Sequence, residues 1–131
     1  MQINDKDVVI AVVKNEEQGP IPSAWRSVIR HIVDALAHHD YQLAGGIPGV
    51  APVSANTGMQ IQGYIERYGE TVVPLPDETW ETSVCIWTGH HWDVMIDLWT
   101  AQEGCSDLVL ALEVHDTGDD VVFYLHMVYV P

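Results

Sequence analysis

The C-terminal half of this chain has no positively charged side chain. From Tyr68 to Pro131 there is neither lysine nor arginine, while twelve aspartates and glutamates occur there. The five basic residues, Lys6, Lys14, Arg26, Arg30 and Arg67, all come earlier, and the formal net charge is −14. A phosphate backbone or an anionic lipid surface would meet a repulsive field over that half. Nucleic-acid and membrane partners are therefore disfavoured. A basic protein, a cation or a neutral ligand stays open, and the bland role of so much acid is solubility.

Other absences narrow the field further. There are only two cysteines, Cys85 and Cys105, at a spacing that matches no zinc or redox motif. The longest apolar run near the N-terminus, Val8 to Val13, is too short to span a bilayer, and no signal-peptide pattern precedes it. We therefore expect a soluble cytoplasmic protein with reduced thiols. No G-x-S-x-G occurs, and the glycines at Gly45-Gly46 lack the lysine and the spacing of a phosphate-binding loop. The sequence implies no cofactor.

What is present reads as one α+β domain over residues 1–131. Its length is enough to bury a core without disulfides or metal, and the 47% hydrophobic content and five tryptophans fit a folded globule. Val8–Val13 is β-branched and suits an extra N-terminal strand, or else an arm, with a loop to about residue 20. Ser23 is placed to cap a helix over Ala24–His39, with Trp25, Val28, Ile29, Ile32, Val33 and Leu36 as its apolar stripe. His31, Asp34 and His38 share a flank of that helix, which reads as a solvated face because no further ligand accompanies them. Tyr41–Val53 carries three glycines and two prolines, so it reads as a loop packed down by its aliphatic residues. Ser54 or Asn56 caps a second helix ending at Gly69, weakened by Gly58 and Gly63.

Four strand-like runs follow, at about residues 82–88, 92–99, 107–115 and 121–130, joined by short links. Such links favour an antiparallel meander, with the two helices covering one face. Alternation assigns Val84, Ile86, Val94, Ile96, Leu98, Leu108, Leu110, Leu112, Val114, Phe123, Leu125, Met127 and Tyr129 to the core face. The opposite face then carries Cys85, Trp87, Asp93, Met95, Asp97, Trp99, Asp107, Glu113, His115, Tyr124 and His126.

Aromatic residues beside carboxylates, with no cation of their own, are the composition of a binding patch. Three readings of that face compete. Another element covers it, such as the segment following Val8–Val13; or it meets a protein partner, basic or a second copy of the chain; or it is an active site. For the binding reading the candidates are Trp87, Asp93, Asp97, Trp99, Tyr124 and His126. For catalysis they are His126, Asp93 and His91, and for metal His90 and His91, which sit in a turn where adjacent side chains diverge. Asp93 and Asp97 lie about 13 Å apart along one strand, too far for a shared carboxylate mechanism of the retaining type.

The segments His38–Ser54, Tyr68–Trp87 and His91–Leu110 resemble a family of small uncharacterised bacterial proteins, a domain of unknown function, over roughly residues 25–131. That resemblance implies a single domain and no known activity. In size and charge the chain also looks like immunity proteins that neutralise toxins. The leading expectation is a non-catalytic binding protein of that kind, and the alternative is a small hydrolase or metal-assisted enzyme.

Overall fold

The computed structural model describes Lys14, Asn15 and residues 17–131. The strand expected at Val8–Val13 lies outside the described residues. In chain order the elements are β1 (Gly19–Pro20), α1 (Ser23–Ala37), α2 (Ala55–Tyr68), a 3-10 turn (Asp77–Glu81), β2 (Val84–Trp87), β3 (Trp92–Thr100), β4 (Gly104–Asp116) and β5 (Val121–Tyr129). The strands form one antiparallel sheet in the order β1-β2-β3-β4-β5. The class is α+β and the meander is the expected one, extended by the two-residue strand at Gly19–Pro20.

α1 buries Trp25, Ile29, Ile32, Val33 and Leu36, the three- and four-residue spacing that puts side chains on one helical face. Ser23 is not its cap. Pro22 occupies that position without a side-chain bond, and the Trp25 N–H reaches the Pro22 carbonyl at 3.0 Å. The helix also stops at Ala37 rather than His39, because His39 adopts φ 63° and the Asp40 N–H turns back to the Ala35 carbonyl. α2 behaves as expected: the Ser54 hydroxyl accepts from the Thr57 N–H, and Gly69 at φ 83° ends the helix.

The two glycines inside α2 have different roles. A Cβ on Gly58 would sit 2.6 Å from Gln42 Cγ and 3.3 Å from the Tyr41 carbonyl oxygen, so this glycine lets the loop press against the helix. On Gly63 it would meet only the mobile end of Arg67, at 3.1 Å. Gly63→Ala should therefore stabilise the fold by about 0.5–1 kcal/mol through helix propensity. Gly58→Ala should lose that gain to the clash. Urea unfolding of the two variants, side by side, checks the contrast.

Alternation holds along β3 and β4, where Trp92, Val94, Ile96, Leu98, Leu108, Leu110, Leu112 and Val114 are all buried. Two expectations about the faces fail. In β2 the register pairs Cys85 with Val94 and Trp87 with Trp92, so Cys85 and Trp87 face the core, and Val84 and Ile86 face outwards opposite Met95 and Asp93. The strand is four residues long, and its parity is set by the hairpin register rather than by its own weak pattern. In β5, His126 is an extra residue between Leu125, opposite Leu112, and Met127, opposite Ala111. That bulge turns Val128 into the core and sends Met127 and Tyr129 to the outer face.

The core between helices and sheet is knit by aromatic contacts. Trp25 meets Trp92 at 5.3 Å and Phe123 at 5.9 Å between ring centroids, both edge-to-face, and Trp87 packs on Trp92 at 4.8 Å. The sheet's edges are also covered. β3 outruns β2, and there the Thr79 hydroxyl donates to the Asp97 carbonyl while the Ser83 hydroxyl accepts from the Asp97 N–H. Further along, Val73 and Ala101 exchange backbone bonds with Trp99 and Thr71. Beyond β5, Phe123 exchanges backbone bonds with Gly49 and Ala51, and the Gln60 amide bonds both backbone groups of Val128. The Gly/Pro-rich loop thus serves partly as an edge seal.

Candidate functional site

The outer face of the sheet is the surface left after the helices and loops have taken the core face. Its middle is apolar: Val84, Ile86, Met95, Val109, Ala111, Met127 and Tyr129 point this way by register. Carboxylates surround that middle, with Asp93 and Glu113 directly opposite each other at one end and Asp107 exposed towards the other. The two corrections of face therefore make the surface more apolar at its centre than the sequence pattern implies.

Of the expected binding residues, Trp87 does not belong here. It lies on the core side against Trp92, with the Lys14 ammonium 4.9 Å from its ring centroid. Trp99 is on the outer face but half-buried, and its indole Nε1 has no hydrogen-bond partner among the described residues. Asp97 is on the outer face too, where its carboxylate accepts from the Thr82 hydroxyl. It is thereby tied to the turn before β2. Tyr124 is 42% exposed, and His126 protrudes at the bulge.

The chemistry concentrates at the end of the sheet where β3 begins and β4 finishes. His91 Nε2 lies 2.9 Å from Asp93 Oδ1 and 3.7 Å from Glu113 Oε1, and His115 Nε2 lies 3.1 Å from the same Glu113 oxygen. The two imidazoles stack with centroids 4.9 Å apart, and His115 meets the edge of Tyr124 at 4.7 Å. A groove of about 400 Å³ runs from this cluster, lined by His91, Asp93, Glu113, His126, Met127 and Tyr129 among others. His126 makes no side-chain hydrogen bond among the described residues, so it is not paired with Asp93. His90 is exposed in the turn and outside the cluster.

Sequence alone does not single out Glu113 and His115 as site residues. Their two-residue spacing puts them on one face of a strand, but only the β3–β4 register brings His91 alongside. His31, Asp34 and His38 form no comparable group; His38 Nδ1 instead bonds the Asp34 carbonyl at 2.8 Å.

The cysteines are free and sit on opposite faces of the sheet, Cys85 against Val94 and Cys105 against Trp99. Those partners are five residues apart along β3, about 17 Å, which is beyond the reach of a disulfide. Burial pushes the Cys85 thiol up, and desolvation followed by the nearby carboxylates pushes Cys105 up. Neither is an activated nucleophile.

The hairpin after β4 carries a pH-sensitive contact. The Lys14 ammonium, 2.8 Å from Asp116, and then the Gly118 N–H hold the Asp116 carboxyl below its ordinary range. A folded-state pKa below the unfolded one adds stability that is present above the unfolded value and lost as pH falls through the folded value. Asp116→Asn is expected to lower stability by about 0.5 kcal/mol at pH 7, an exposed ion pair's worth. That difference should vanish once the medium is acidic enough to protonate Asp116 in the native state. Urea titrations at neutral and strongly acidic pH measure both.

No helix among the described residues is long and apolar enough to cross a membrane. No curated protein and no solved structure matches the chain. The model of one family, Domain of unknown function (DUF7668), matches residues 33–131, a span that holds the last five residues of α1, all of α2, β2 to β5 and the whole His–carboxylate cluster, and the chain belongs to that family.

Proposed function

We propose that this domain is a non-catalytic binding protein whose outer sheet face receives a basic protein partner, neutralising it as an immunity protein would. The observation that carries the reading is the make-up of that face: an apolar centre of Met95, Val109, Met127 and Tyr129 within a border of carboxylates. Apolar centres with polar rims are the anatomy of protein interfaces. The absence of any Lys or Arg after Arg67 gives the face a field that would speed the approach of a cationic surface. Trp99 and Tyr124 are the aromatic anchors: Tyr124 is 42% exposed, and Trp99 is half-buried, with its indole Nε1 shut away from solvent.

The test is capture of a basic partner by the immobilised chain. Trp99→Ala and Tyr124→Ala should each weaken the complex by about 30-fold, the scale of an interface hot spot. Raising the salt from 0.05 to about 0.5 M should weaken it further. Undiminished binding by the double variant would rule the reading out. Sedimentation of the chain alone separates the other occupant of the face, a second copy.

One observation favours a second reading, a hydrolase or metal-assisted enzyme. His91, Asp93 and His126 line the same groove. Hydrolysis of activated esters or phosphates, lost on His91→Ala and His126→Ala, would support it over the binding role.

A further inference from the structure

We infer that His91, Glu113 and His115 form a binding site for a zinc-class transition-metal ion. Each residue offers one ligand atom, and the three atoms lie within 4.8 Å of one another, the one such group found among the described residues. The fold brings them together in two ways. Glu113 and His115 are two apart on β4 and so share a face. The register places Trp92 opposite Val114 and Asp93 opposite Glu113, which sets His91, just before β3, beside His115.

The separations suit a metal. Ligands about 2.0–2.1 Å from a tetrahedral ion stand about 3.3 Å from each other. Glu113 Oε1 is 3.1 Å from His115 Nε2 and 3.7 Å from His91 Nε2, on either side of that value. The two imidazole nitrogens lie within 4.8 Å of each other, and their side chains are 21% and 40% exposed, free enough to close by rotation. A single carboxylate oxygen facing two imidazole nitrogens is a donor set with a natural place for a cation between them.

Charge points the same way. Asp93 and Glu113 are direct cross-strand neighbours, an arrangement that repels unless positive charge lies near. No lysine or arginine from this half of the chain can supply it. Asp93 Oδ1, 2.9 Å from His91, adds a negative charge beside the three donors.

Two imidazoles with one carboxylate select zinc, cobalt or nickel over magnesium and calcium, which take oxygen donors. Three protein ligands leave a fourth position for water or for a donor from another molecule. Both His91 and Glu113 border the groove containing His126, so that position is within reach of a ligand seated there. The site stands whether or not the outer face binds a protein.

The test is calorimetric titration of the chelator-treated full chain with Zn²⁺ alone. One ion per chain should bind with a Kd of about 1 μM or tighter. Glu113→Gln and His115→Asn should each raise the Kd by at least about 100-fold, beyond what a supporting neighbour costs. Asp93→Asn should raise it by about 10-fold. His38→Ala combined with His39→Ala, histidines outside the group, should leave it unchanged, and Mg²⁺ should give no binding heat. Co²⁺ in place of Zn²⁺ should give the visible spectrum of a four-coordinate ion, sensitive to the same substitutions. All the altered side chains are partly exposed, and matching thermal transitions of the metal-free proteins verify folding. Zn²⁺ binding that survives Glu113→Gln and His115→Asn, or that disappears with His38 and His39, would overturn the site. So would the absence of Zn²⁺ binding at millimolar concentration.

Discussion

Replacing Trp25 by alanine is expected to lower the unfolding free energy by about 3–5 kcal/mol, the range for removing a large aromatic from a packed interior. Trp25 is 1% exposed and joins the two layers, touching Trp92 of the sheet's middle strand and Phe123 of the far strand from its place in α1. No neighbouring side chain can fill the space, because the residues around it are themselves held in β3, β5 and the helix. Its indole Nε1 is buried with no partner among the described residues, so part of what the ring adds by burial is already offset. Trp25→Phe should therefore recover most of the loss, keeping an aromatic edge against Trp92 without the unpaired N–H. Urea unfolding followed by circular dichroism reads both variants. A cost below about 1 kcal/mol for the alanine variant would mean the layers are not held at this point.

Ser106→Ala is expected to cost about 2–4 kcal/mol although it removes a single oxygen, because two buried backbone groups lose their partner together. The β3–β4 ladder is irregular between the pairs Asp97–Val109 and Trp99–Cys105, where β4 contributes more residues than β3. Regular pairing cannot satisfy Leu98 and Leu108 there. The Ser106 hydroxyl does so instead, donating to the Leu98 carbonyl at 2.7 Å and accepting from the Leu108 N–H at 3.1 Å. Ser106→Thr keeps the hydroxyl and should cost much less. Native-state hydrogen exchange at Leu108 provides the specific check: its amide should lose protection in the alanine variant and keep it with threonine.

The expectations from sequence succeed where a segment is long and strongly patterned. Trp25 to Leu36 has enough turns for one stripe to emerge, and the nine residues of β3 alternate without a break. They fail where the pattern is short or interrupted. Four residues of β2 cannot declare their parity, since Val84, Cys85, Ile86 and Trp87 are all apolar enough for either face. In β5 a single added residue, His126, reverses every side chain after it, and nothing in the run from Val121 to Tyr129 marks where the reversal falls. Ser23 resembles a cap by composition, yet the chain enters α1 one residue earlier, at Pro22.

The candidate sites divide in the same way. Asp93, Asp97, Trp99 and Tyr124 are found on the outer face because each sits in a stretch whose alternation is readable. Trp87 is lost from it with the parity of β2. The His–carboxylate group goes further: sequence singles out His91, but Glu113 and His115 acquire meaning only beside it.

The sequence by itself determined the class, an acidic α+β domain with an antiparallel meander and two helices, since those follow from local periodicity, short links and composition. The tertiary structure alone decided which residues share a face and which donors converge. Both depend on hydrogen-bond register between strands distant in sequence, and one residue of slip or one bulge exchanges the two faces of a sheet.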